Sequence, residues 1–195
     1  YQGNTNVAYL LDPRYSKLAS YFSGAKNIFK CPSDHFLSAA QRRAGFTERV
    51  RSVSGNIRIG DDSNAWDTKA FPRYTAKASG LTDPGPSDTW IYMDEHPDSI
   101  NDVGNFTYEP FARRWVDVPA NYHNGAAGIA FADGHSEVHK WKGNLGAAPF
   151  VTLPAGTGSL GSIRAYAKRD ADALWWALRT QRKSGITEAA IRGTF

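Results

Sequence analysis

Cysteine is almost absent. The 195-residue chain holds one, Cys31, which excludes an internal disulfide and a multi-cysteine metal site. No stretch approaches the roughly eighteen consecutive apolar residues of a membrane-spanning helix. There is no signal-peptide pattern, and a start at Tyr1 is that expected of a processed or shortened chain. Charge of one sign is not concentrated. The net charge is +4 and the basic residues are scattered, which argues against a dedicated nucleic-acid surface. A phosphate-binding glycine loop, a nucleophile elbow and a His-Glu-x-x-His helix are all missing, so no motif implies a small-molecule substrate.

What is present belongs to a globular domain. Hydrophobic residues make up 41% and charged residues 22%, and aromatics reach 13% with six Trp. This length buries a real core, so residues 1–195 read as one domain, with 183–195 as a flexible tail. Residues 12–23 place Leu18, Tyr21 and Phe22 on one helical face, and Ser33 and Asp34 are caps for a short helix over 36–43. Alternation over Val50–Ile59 predicts a strand broken near Gly55, and Thr89–Met93 a second, buried one. Residues 60–72 and the polar run 94–105 read as surface loops. In 169–182 acids precede bases, which suits the helix dipole and predicts a helix with Leu174, Trp175 and Leu178 inward. Strands mixed with non-crossover helices give an α+β class.

The run Tyr122–Trp141 concentrates the chemistry, with three of the five histidines. Asp133-Gly134 between alternating runs predicts a hairpin of 128–132 and 135–140 closed by a two-residue turn. That register opposes Ile129 to Val138 and puts Ile129, Phe131 and Val138 in the core. It leaves His135, Glu137 and His139 as a more exposed strip with neighbours about 6.6 Å apart. Zinc on this strip needs a third ligand from elsewhere, so the strip reads as solvent- or partner-facing. His123 reads as ordering the Asn124-Gly125 turn, and its spacing alone gives no pair with Asp133.

His123, nine residues, then Asp133-Gly134 resembles the signature of the bacterial prepilin-like family named for its H-x9-DG spacing. Cys31-Pro32-Ser33-Asp34 looks like that family's Cys-Pro-Ser-Asp element. Met93–Asp102, Tyr122–Gly125 and Asp172–Trp176 are similar to further motifs, in order. The resemblance implies a pilin-like head whose antiparallel sheet packs on a long apolar N-terminal helix, which is absent here. It implies a structural subunit of a type II secretion pseudopilus or type IV pilus-like filament, not an enzyme. Its partners would be other pilin-like subunits and the assembly machinery, in the periplasm or at the cell surface. On a head without its helix, residues 7–22 are expected to lie against the sheet, with any exposed apolar patch beside them as the assembly surface.

Some pseudopilins hold calcium in a loop of the sheet, and Asp94, Asp98 and Asp102 offer hard oxygen ligands for it here. Asp61, Asp62, Asn64 and Asp67 form a weaker cluster. The alternatives from other classes are a module binding acidic glycan or DNA, and a metal-dependent hydrolase built on the histidine strip.

Overall fold

The computed structural model describes residues 5–60, 75, 77–100, 105–106, 108–109, 114–115, 117–147 and 169–194. The class is α+β. Among the described residues, seven short strands occur in the order β1 (Val53–Asn56), β2 (Trp90–Asp94), β3 (Asn105–Phe106), β4 (Tyr108–Glu109), β5 (Arg114–Trp115), β6 (Ala126–Phe131) and β7 (Ser136–Lys140). The main sheet runs β3-β1-β2-β6-β7. Its β1-β2-β6-β7 portion is antiparallel throughout, and β3 joins β1 in parallel. The α-helices of the described residues are α1 (Ala8–Leu11), α2 (Ala39–Arg43), α3 (Ala171–Leu178) and α4 (Glu188–Thr194). Among the described residues, no helix is long and apolar enough to cross a membrane.

One face of the sheet is core. Trp90 and Met93 are both buried there although they are three residues apart, because the register shifts between Trp90 and Tyr92. Such a bulge inserts one residue and turns the next side chains over. Against Trp90, Met93, Ile129 and Phe131 packs α3, whose Trp176 is fully enclosed. Its ring centroid lies 4.4 Å from Trp90, 6.0 Å from Trp115 and 6.2 Å from Trp141. Asp170 caps α3 by accepting from the amides of Asp172 and Ala173. Asp172 then accepts from the amides of Lys142 and Gly143, tying the helix to the chain leaving β7.

Several expectations need correction. The inward residues of α3 are Ala173, Trp176 and Ala177, whereas Leu174, Trp175 and Leu178 are half-buried at its flank. The helix expected over 36–43 begins later, at Ala39, because Ser38 and Gln41 form a capping box there. Within the stretch expected as a flexible tail, residues 183–194 carry α4, and Ile191 is buried in the core cluster. The run at 94–100, expected as a solvated loop, is buried almost throughout, including Glu95, His96 and Ile100. The loop 60–72 lies outside the described residues from 61 onward.

The hairpin exists, but its register is shifted by one residue. Ile129 pairs with Glu137, and Gly128 with Val138. The loop is three residues, Ala132-Asp133-Gly134, with positive φ only at Gly134. Asp133 does not enter the left-handed region; its carboxylate instead accepts from the backbone amide of His135. A three-residue loop ending in a left-handed glycine is the next commonest hairpin closure. The slip moves every β7 side chain to the other face. Ile129 and Phe131 are buried as expected and His135 and Glu137 exposed, but Val138 is 65% exposed and His139 half-buried.

Candidate functional site

The pairing that buries Ile129 leaves Val53, Tyr92, Gly128, Ala130, Ser136 and Val138 on the opposite face. A groove of roughly 560 Å³ runs over this face, bordered by Leu18, Phe22, Ile28 and Phe29. Of residues 7–22, expected to lie against the sheet, only Leu18 and Phe22 reach the groove wall. Tyr9 and Tyr21 point to solvent. Among the described residues, the segment therefore edges the face without covering it.

At the groove lies a second feature. Asp94 belongs to the groove lining and also meets two residues remote in sequence. The His123 Nε2 atom is 3.4 Å from Asp94 Oδ2 and 3.5 Å from Cys31 Sγ. Each residue is held from behind. The Cys31 amide donates to Ser52 Oγ at 2.6 Å. The Gly128 amide donates to Asp94 Oδ2 at 2.9 Å, and a Cβ at Gly128 would meet that oxygen at 3.0 Å. Glycine there lets the carboxylate cross the neighbouring strand. His123 sits on a turn with Asn124 and Gly125 both at positive φ, and its amide donates to Ala126. Preceding it, the Tyr122 hydroxyl donates to the Glu95 carbonyl.

Burial pushes the Cys31 thiol up, opposed by the Ser33 amide and hydroxyl and reinforced by Asp94. Asp94 is also pushed up by burial, against the pull of the Gly128 amide and of His123. This arrangement is not a nucleophilic relay. A catalytic thiol needs a lowered pKa and an acid on the far ring nitrogen of its histidine. Here thiol and carboxylate face the same nitrogen.

Other predicted residues go elsewhere. Asp34 forms a buried ion pair with Arg49, which also donates to the Pro97 carbonyl, and accepts from the Phe36 amide. Pro32 is exposed and Ser33 half-buried beside Cys31. Asp133 accepts from His135, not from His123. His135 stacks on Phe131 and His139 on Trp175, at 4.3 and 3.9 Å between centroids, so the histidine strip serves as packing. Of the calcium candidates, Asp94 is turned to His123 and Gly128, Asp98 lies 4.0 Å from His96, and Asp102 is outside the described residues. The cluster Asp61–Asp67 is outside them too. Among the described residues, the group of three potential ligands within 4.8 Å of one another is Cys31, Asp94 and His123.

Sequence reasoning picked out all three residues but never as a set. They converge only because β2 pairs with both β1 and β6, and no spacing signals that. Comparison with protein families, curated proteins and solved structures finds no match to this chain.

Proposed function

We propose that the protein is the globular head of a pilin-like structural subunit, working in a type II secretion pseudopilus or type IV pilus-like filament without catalysis. The observation that carries this reading is the open apolar face of the sheet. Among the described residues, one face of the sheet is covered by α3 and the other is lined by Val53, Tyr92, Ala130 and Val138 with no helix packed on it, as in a layered domain whose second face takes a further element. An apolar helix laid across the groove supplies that element, and exposed apolar patches of this kind mark interaction surfaces. The H-x9-DG resemblance names the helix as a pilin-type stalk. The partners are then other such subunits and their assembly machinery, in the periplasm or at the cell surface.

The glycan- or DNA-binding alternative draws less support. Arg49, Arg51 and Arg58 are buried, as are Trp90, Trp115, Trp141 and Trp176, so these residues offer no exposed basic or stacking platform. The test is fractionation of cells producing the protein joined to a pilin-type N-terminal helix. It should appear in the sheared-filament or secretion-complex fraction, and Val138→Asp should fold normally yet be lost from it. A folded wild-type protein absent from that fraction would remove the subunit reading.

A further inference from the structure

We propose that Cys31 Sγ, His123 Nε2 and Asp94 Oδ2 are three ligands of a zinc-class divalent ion, with the fourth position open to water. This inference is independent of the filament reading.

The geometry points to an ion shared by the three atoms, which all lie within 4.8 Å of one another. Zinc–sulfur bonds of about 2.3 Å and zinc–nitrogen and zinc–oxygen bonds of about 2.0 Å, at the tetrahedral angle, imply S···N of about 3.6 Å and N···O of about 3.3 Å. The observed separations are 3.5 Å and 3.4 Å. A single imidazole nitrogen carries at most one proton, so it meets the thiol and the carboxylate together only through one shared, three-centre hydrogen bond. A cation placed between the three atoms bonds to each of them directly. The donor set of sulfur, imidazole nitrogen and one carboxylate oxygen selects zinc or cobalt over calcium or magnesium, which take oxygen alone.

The site is also built from outside. Gly128 orients the carboxylate, and Ser52 fixes the Cys31 backbone. Outer partners of this kind hold metal ligands in place before the metal arrives. The His123 side chain keeps 34% of its surface exposed, which gives an ion a path in and leaves room for a water. A bound ion would staple the Cys31 loop, β2 and the turn before β6 at the rim of the groove.

The test uses the whole protein, stripped with chelator and titrated with zinc and then with cobalt. Expected are one equivalent of bound metal, a thiolate-to-cobalt charge-transfer band with tetrahedral d–d intensity, a raised melting temperature and protection of Cys31 from alkylation. His123→Gln and Asp94→Asn should each weaken zinc by more than the roughly 10–100-fold that loss of an outer partner costs. Should Cys31→Ser fail to fold, the cobalt spectrum of the wild type still reports the thiolate. Folded apo-protein that binds no stoichiometric zinc, or a cobalt spectrum without the thiolate band, would overturn the site. So would calcium stabilising the protein where zinc does not, or zinc affinity left unchanged by His123→Gln.

Discussion

Cys31 and Asp34 are three residues apart yet serve different neighbours. Asp34 and Arg49 are both buried and paired, and Arg49 reaches on to the Pro97 carbonyl and the Tyr122 hydroxyl. Asp34 thus supports the frame that carries His123, without entering the metal cluster. Removing one partner of a buried pair strands the other charge, so Asp34→Ala should cost about 3–5 kcal/mol in chemical denaturation. Asp34→Ala together with Arg49→Met should recover part of that loss. Glu95 gives a second expectation. Its burial and the adjacent Asp117 push its carboxyl up to about 8, against the pull of Ser54, Arg51 and Ser99. The folded state then keeps a proton that the unfolded chain releases near its ordinary value of 4.5, so unfolding releases it between these limits. Stability from this group is full below the lower limit and falls as pH rises towards the upper one, by on the order of a few kcal/mol. Denaturation midpoints measured with chelator from acid to mildly alkaline pH should show that decline, and Glu95→Gln should flatten it. Individual residues were legible in the sequence for the wrong reasons. Asp94 stood out through the acids around it, whereas its structural neighbours are His123, Cys31 and Gly128. The density of acids at 94–102 resembled a solvated loop, but Glu95 and Asp98 are buried among hydroxyl and imidazole partners.

At the scale of elements, local chemistry located the hairpin and left its register open. Asp133-Gly134 fits both a two-residue and a three-residue closure, and the Asp133–His135 hydrogen bond belongs to the longer one. One residue of slip then exposed Val138 and turned His139 towards Trp175. The same limit applies to α3. Its charge order was readable, but Trp175 and Trp176 are adjacent and differ in burial because Trp176 meets Trp90 on the sheet. No sequence period pointed to α4, a seven-residue helix with one buried anchor, so it read as tail. Because Ile191 lies in the core cluster, Ile191→Ala should destabilise the protein by about 2–5 kcal/mol in a urea titration. A change below about 0.5 kcal/mol, the range of surface substitutions, would show α4 to be undocked.

For the whole molecule, the sheet organises both proposals. Its antiparallel β1-β2-β6-β7 portion brings Asp94 beside Gly128, while the same alternation lays Tyr92, Ala130 and Val138 along an open apolar face. The α+β class was legible because alternation and turn residues recur between helical segments. The groove was not, since it depends on which side α3 covers and on the hairpin register. Its exposed side chains, Ile28 at 54% and Val138 at 65%, are a feature that monomeric proteins ordinarily bury or use. The most direct measurement is carbene footprinting of the isolated protein beside the protein within the cell's filament or secretion assembly. We predict that labelling at Ile28, Tyr92 and Val138 drops sharply on assembly while labelling at Tyr15 stays nearly constant. Unchanged labelling at those three positions, with protection appearing on another surface, would contradict the open sheet face as the seat of an apolar helix.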